Sequence, residues 1–290
     1  MRNFELIEPR TLHEACAVLA DDAAIKPVAG GTALLTIIKQ GLLRPKRLVN
    51  LKKIADGSAI SFDEKLGLRI GALATIDEIE TSALVRQHYS ALAEACHVVA
   101  NIRIRNMATL GGNLAHGDSQ SDPPTVLAAL DAHVELMSAA GCRQMSLTDF
   151  QLGSYETALA ASELVSAILI PPPLANTTGS YIKFTTGSSE ERPCAGVAAF
   201  SRVESGICRE LRLAVGVVSP RPVRILAGEE RAKDQQLTNE LIQTIANDAA
   251  RAIEPIDDLR GPADYKRHLI GVLVRRAITA LANGEIGAKA

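Results

Sequence analysis

The sequence has no tryptophan, and its five phenylalanines and four tyrosines make up 3% of 290 residues. So few rings count against the aromatic platforms on which single-stranded bases stack. An excess of one charge is also lacking. The 31 Lys and Arg against 33 Asp and Glu leave a net charge of −2, which removes the phosphate attraction that drives nucleic-acid binding. No apolar run is long enough to cross a bilayer. The start, Met1-Arg2-Asn3-Phe4-Glu5, has no apolar h-region, so no secretory signal is expected and the expected compartment is the cytoplasm. The five cysteines, Cys16, Cys96, Cys142, Cys194 and Cys208, are scattered. Without CxxC pairs or a ferredoxin-type run, the chain is expected to ligate no iron–sulfur cluster, and its thiols read as core residues. The six histidines show no HExxH or other ligand spacing, so no metal site is expected.

Two glycine pairs stand out: Ala29-Gly30-Gly31-Thr32 and Thr109-Leu110-Gly111-Gly112-Asn113. Each adjoins an apolar run and carries a hydroxyl. Glycine lets backbone N–H groups come close to a ligand and permits positive φ. A single Gly-Gly reads as a tight turn. Two of them, about eighty residues apart, could grip one extended anion such as the pyrophosphate of a dinucleotide.

The patterning between these loops is that of an α/β unit. Thr11 and Glu14 form a capping-box signature ahead of a helix that carries Leu12, Cys16 and Leu19 on one face. Lys26 to Ala29 reads as a short strand, Thr32 to Gln40 as a helix and Arg47 to Leu51 as a second strand. Leu66 to Leu73 and His133 to Met137 are further strands, and Leu84 to Ala100 reads as one long helix. Ser121-Asp122-Pro123-Pro124 opens another helix, with proline in its first turn. Pro171-Pro172-Pro173, followed by Leu174, breaks the pattern and marks a boundary. Beyond it, strands at Tyr181–Phe184, Ala195–Val203 and Leu211–Val218 precede helices at Asn239–Ile253 and Pro262–Ala282. Strands followed by helices predict a separate α+β domain. The expected division is 1–175, in two subdomains of about 1–55 and 56–175, and 178–290.

The stretch from Ile104 to Pro124, Ile104-Arg105-Asn106-Met107-Ala108-Thr109-Leu110-Gly111-Gly112-Asn113-Leu114-Ala115-His116-Gly117-Asp118-Ser119-Gln120-Ser121-Asp122-Pro123-Pro124, resembles the second flavin segment of a known family. That family is the FAD-binding medium subunit of molybdenum hydroxylases. It includes the medium subunit of aerobic carbon monoxide dehydrogenase and the central domain of xanthine dehydrogenase. Ala29-Gly30-Gly31-Thr32-Ala33-Leu34 resembles its first flavin segment, and Asp258-Leu259-Arg260-Gly261-Pro262-Ala263-Asp264-Tyr265 its C-terminal signature. The resemblance implies an α+β fold: a split FAD-binding domain of the vanillyl-alcohol-oxidase (PCMH) type, followed by a smaller α+β domain. It implies non-covalent FAD in this chain. Molybdopterin and [2Fe–2S] clusters would sit in large and small partner subunits, assembled as a dimer of heterotrimers. Electrons would pass from the clusters through FAD to an external acceptor. A self-contained flavin oxidoreductase of the same fold is the alternative.

By the same resemblance, Gly30, Gly31 and Thr32 meet the pyrophosphate, with Pro27, Val28, Ala29, Ala33 and Leu34 along the same wall. Thr109, Gly112 and Asn113 meet pyrophosphate or ribityl oxygens, and Ala100 and Ala108 sit against the flavin. Ala115 is a further cofactor contact, His116 lies toward the adenosine, and the Leu164 backbone meets isoalloxazine or adenine. Asp122 accepts from the adenosine ribose hydroxyls. Lys183 lies close to the flavin, where a cation would raise its potential. The residues alone read more plainly: Val28 and Leu34 as core, His116 as a loop histidine, Asp122 as a helix N-cap and Lys183 as a solvated strand lysine. Two departures stand out. Ala33 occupies a position where relatives often carry Ser, and Phe184 to Pro193 has less positive charge than is usual after that lysine.

Overall fold

Thr11 Oγ1 accepts from the Glu14 backbone N–H at 3.1 Å and starts helix α1, Leu12–Asp21. The Glu14 carboxylate reaches Arg10 N–H instead of Thr11, so the expected box closes one residue early. The computed structural model describes residues 3–173 and 175–285. Met1, Arg2, Leu174 and 286–290, parts of the expected ends and proline boundary, lie outside the described residues.

Strand β1 (Glu5–Ile7), α1, β2 (Ile25–Val28), α2 (Leu34–Lys39) and β3 (Arg47–Asn50) build a three-stranded parallel sheet of order β1-β3-β2. Pro27 fits there because β2 is an edge strand and needs no ladder donor on its open side. The first glycine loop is the β2–α2 connection.

The next sheet is formed by β4 (Ile60–Asp63), β5 (Gly67–Gly71), β6 (His133–Ser138), β7 (Gly141–Ser146) and, after the β8 (Gln151–Gly153) and β9 (Glu156–Thr157) hairpin, β10 (Leu164–Ile170). Its order is β4-β5-β10-β6-β7, all antiparallel. Between β5 and β6 lie α3 (Ile76–Thr81), α4 (Ala83–His88), α5 (Ser90–His97), α6 (Ile102–Arg105), α7 (Leu110–His116) and α8 (Pro123–Ala129). The long helix expected over 84–100 is thus two helices. They break at Tyr89 (φ −143°, ψ 52°), whose buried ring swings its hydroxyl to the Pro171 carbonyl at 2.8 Å.

Thr75 and Glu78 form a complete capping box on α3, with Glu78 N–H to Thr75 Oγ1 at 3.1 Å and Thr75 N–H to Glu78 Oε2 at 2.7 Å. Thr75→Ala removes that cap and is expected to cost about 1 kcal/mol. Urea unfolding checks it; an unchanged midpoint contradicts the capping account.

Strands β11 (Thr177–Phe184), β12 (Ala195–Glu204), β13 (Ile207–Gly216) and β14 (Val223–Arg224) form an antiparallel sheet. Side chains alternate between two cores along the paired stretches, up to a register shift at Arg202/Val203. Tyr181, Ala198, Phe200 and Ala214 join the core of the β4–β10 layer. After the short helices α9 (Leu147–Phe150), between β7 and β8, and α10 (Leu226–Ala232), beyond β14, come α11 (Asn239–Ala252) and α12 (Ala263–Ala282), under which Ile182, Val197, Ala199, Leu213 and Val215 pack. Successive side chains point to opposite faces, so a sheet buried on both sides reads as a continuous apolar run. Gly216, paired with Gly196 across β12 and β13, lets the sheet approach α8, and Gly196 leaves room for the Tyr181 hydroxyl. A Cβ on Gly216 would lie 1.9 Å from Thr125 Oγ1, and one on Gly196 would lie 2.5 Å from the Tyr181 hydroxyl.

Candidate functional site

The two glycine loops are brought into contact. A Cβ on Gly30 would lie 2.0 Å from the Met107 carbonyl oxygen, so only glycine permits this approach of one backbone to the other. Gly31 has φ +74°, and Gly111 lies so close to Ala72 that a Cβ there would be 2.5 Å from the Ala72 methyl. A cavity of about 440 Å³ opens between the loops. It is lined by 27–34, Ala108, Thr109, Gly112, Asn113, Ala115, His116 and Leu164. The wall also holds residues the sequence reading passed over: Lys26, Ile37, Leu51, Ala72, Leu73, Gly111, 157, 159–161, Glu163 and Val165. Gly111 stood inside the quoted motif. For the 157–161 loop, which joins β9 to β10, no spacing in the sequence gives a signal.

Hydrogen-bond accounting separates the two loops. The backbone N–H groups of Gly30, Gly31, Thr32, Ala33 and Leu34 donate to no protein acceptor among the described residues, while Leu35 N–H already returns to Gly31 O. All five are half-buried, and those at the start of α2 are the donors a helix leaves free at its N-terminus, so together they offer a place for an anion. The second loop is spent internally. Leu110 N–H goes to Ala74 O, Gly111 N–H to Ala72 O, Asn113 N–H to Thr109 O, and Gly112 N–H to Thr109 Oγ1 at 3.1 Å. It offers side chains instead: the Thr109 hydroxyl proton and the amide of Asn113, whose Oδ1 accepts from Ser121 Oγ at 2.9 Å.

The charged lining is sparse. Glu163 is engaged by Arg143, with contacts of 2.7 and 2.8 Å that hold its carboxyl below the usual range, and it accepts Ala160 N–H at 2.9 Å. Burial pushes the His116 imidazole below its ordinary value, and its ring is tilted against Tyr155 with centroids 5.1 Å apart. The wall therefore presents donors, apolar surface and no unpaired carboxylate, which suits an anionic, partly aromatic cofactor such as FAD.

Three of the expected contact residues lie outside the cavity lining. Asp122 is buried, 3% exposed, and its side chain caps no helix N–H. It accepts from the Tyr181 hydroxyl at 2.8 Å on one oxygen and from Lys183 Nζ at 3.3 Å on the other. Burial raises its carboxyl from 3.8 to about 6 in spite of the ammonium beside it. Lys183 is neither solvated nor at the cavity wall: its side chain is 6% exposed, and Nζ also donates to the Val98 carbonyl at 2.6 Å. Ala100 stands outside the lining, in a left-handed turn with φ +43°.

Residues 2–173 match the family described as "FAD binding domain in molybdopterin dehydrogenase", and residues 186–281 match the "CO dehydrogenase flavoprotein C-terminal domain". The chain is 32% identical over 278 residues to the carbon monoxide dehydrogenase medium chain of Hydrogenophaga pseudoflava, covering 96% of each chain. It is 29% identical to the xanthine dehydrogenase FAD-binding subunit of Escherichia coli O157:H7, over 95% of this chain and 96% of that one. Among solved structures, carbon monoxide dehydrogenase from H. pseudoflava superposes with a TM-score of 0.93 at 32% identity, over 98% of this chain and 99% of that one. Quinoline 2-oxidoreductase from Pseudomonas putida 86 also superposes with a TM-score of 0.93, at 29% identity over 98% and 99% of the two chains. With matched domains in order along nearly its whole length and a cavity of fitting chemistry between its glycine loops, the chain belongs to the FAD-binding family of the molybdopterin dehydrogenases.

Proposed function

We propose that this chain is the FAD-binding electron-transfer subunit of a molybdenum hydroxylase. The run of five unpartnered N–H donors at 30–34, facing a second glycine loop across a cavity, carries this reading. When bound, FAD supplies hydride and single-electron chemistry. The chain's residues bind and orient it. The 30–34 amides hold the diphosphate, Thr109 and Asn113 add polar contacts, and Val28, Leu34, Leu73 and Leu164 exclude water. Electrons arrive from the [2Fe–2S] clusters of a small partner subunit, fed by a large molybdopterin subunit, and leave to an external acceptor. The assembly is a dimer of heterotrimers. This division of labour is supported by relatives named as medium chains and FAD subunits, which this chain matches end to end. A self-contained oxidoreductase is less well supported. Of the titratable wall groups Lys26, His116 and Glu163, the last is already committed to Arg143. The flavin-holding unit is residues 1–175, with 178–290 as the second unit. Five free thiols, four of them buried, support a reducing compartment, the cytoplasm. No helix among the described residues is long and apolar enough to cross a membrane.

Gly112→Val tests the site. Apart from Thr109 Oγ1 at 2.8 Å, a Cβ on Gly112 meets nothing within 4 Å, so the added side chain projects into open space at a lining residue. Affinity for FAD is expected to fall about tenfold or more (about 1.4 kcal/mol). Full retention of acid-releasable flavin contradicts the reading. In the chain expressed alone, iron should be negligible, since among the described residues no group of three His, Cys, Asp or Glu side chains could hold a metal. Stoichiometric iron would overturn the assignment of the clusters to a partner.

A further inference from the structure

Two cations from distant parts of the chain converge on two consecutive carbonyls. Lys183 Nζ, on β11, donates to Val98 O at 2.6 Å, and Arg105 Nη1, on α6, donates to Val99 O at 3.2 Å. Both carbonyls belong to the turn that ends α5, and the next residue, Ala100, has φ +43°. A non-glycine residue stays left-handed only where its surroundings over-determine it. Each cation is anchored in turn. Asp122, held by the Tyr181 hydroxyl, backs Lys183. Glu80 backs Arg105 at 3.0 Å and meets His97 Nδ1 at 2.7 Å. Asn101 then caps α6 through Ile104 N–H at 3.2 Å. From there the chain runs directly to Met107, against which Gly30 packs, and to Ala108 and Thr109 in the cavity wall.

We propose that Lys183 and Arg105 are positioning residues. Together they clamp the Val98–Ala100 turn in its left-handed form and so fix the 101–109 segment that walls the FAD cavity. Lys183 then acts through the backbone, with its charge matched by Asp122. The proposal rests on the flavin reading for the identity of the ligand, while the clamp itself is a property of the chain without flavin.

The test removes the pair without stranding a charge, in the double variant Asp122→Asn/Lys183→Met. In flavin-free protein, amide exchange over 98–107 is expected to rise about tenfold, with α11 unchanged as an internal control. FAD affinity, read by quenching of flavin fluorescence, is expected to fall with it. Adding Ala100→Gly should recover at least about threefold in affinity, because glycine adopts positive φ without a clamp. Lys183→Arg, which keeps a donor and a charge, should stay near wild type. Unchanged exchange over 98–107 in the double variant overturns the clamp, as does a failure of Ala100→Gly to restore affinity. If wild-type protein binds no FAD, the functional reading fails, and the exchange experiment still decides the clamp.

Discussion

Gly30→Ala is expected to abolish tight FAD binding. The new Cβ would lie 2.0 Å from Met107 O, 2.7 Å from Met107 C and 2.9 Å from Ala108 Cα. All three are backbone atoms, so no flexible side-chain tip can yield. Relief requires the 107–108 backbone to move away. That backbone is tied down by Ile76 N–H to Ala108 O at 2.9 Å and by the Thr75–Thr109 bridge. Overpacking of this kind costs about 1–3 kcal/mol in stability. Displacing one loop against the other should weaken FAD by about a hundredfold, about 2.8 kcal/mol. Gly31→Ala is the graded comparison. Its φ of +74° strains any side chain, but its nearest neighbour is the movable Leu35 Cδ1 at 3.0 Å. About 1–2 kcal/mol of stability should be lost there, with a smaller effect on flavin. Fluorescence titration of both variants decides; equal binding by Gly30→Ala and wild type would mean that the loops do not need their contact.

Asp122→Ala is the second large effect. It leaves the Lys183 ammonium buried with only the Val98 carbonyl. Removing one member of a buried pair costs about 3–5 kcal/mol, whereas replacing both by apolar groups of like volume is often close to neutral. Thermal unfolding of Asp122→Ala should therefore drop by roughly 10 °C, and Asp122→Asn/Lys183→Met should recover most of it. The pH dependence has a defined sign. Burial raises the Asp122 carboxyl from 3.8 to about 6, outweighing the pull of Lys183 and Tyr181. Between those values the native chain holds a proton that the unfolded chain has lost. Its contribution is thus more favourable near pH 4 and is lost as pH rises through 6. Asp122→Asn should flatten that slope; an unaltered slope contradicts it.

Much of this was legible in the residues, and the gaps have physical causes. Pro27 on an edge strand, the prolines opening α8 and the apolar stripes of α11 and α12 declare themselves through local rules. Strand β10 does not. Leu-Val-Ser-Ala-Ile-Leu-Ile is buried on both faces between β5 and β6, so no alternation marks it. Strand β7 is missed for the opposite reason, since Gly-Cys-Arg-Gln-Met-Ser is mostly exposed and polar. At the site, glycine loops are visible because their chemistry is sequential. The Asp122–Lys183 pair joins positions 61 residues apart, and nothing local announces it. One signal existed. Tyr181 and Lys183 are two apart on a strand, hence on one face, and both meet Asp122 there, while Ile182 and Phe184 turn to the other core.

The first glycine loop is proposed to hold the anionic part of FAD by its backbone. Amide hydrogen exchange across the chain, with and without saturating FAD, tests it most directly. Gly30, Gly31, Thr32, Ala33 and Leu34 have no protein acceptors, whereas Leu110 to Asn113 are already bonded. Strong new protection over 30–34, with little change over 110–113, is the predicted result. Protection over 110–113 with none over 30–34 would contradict the account.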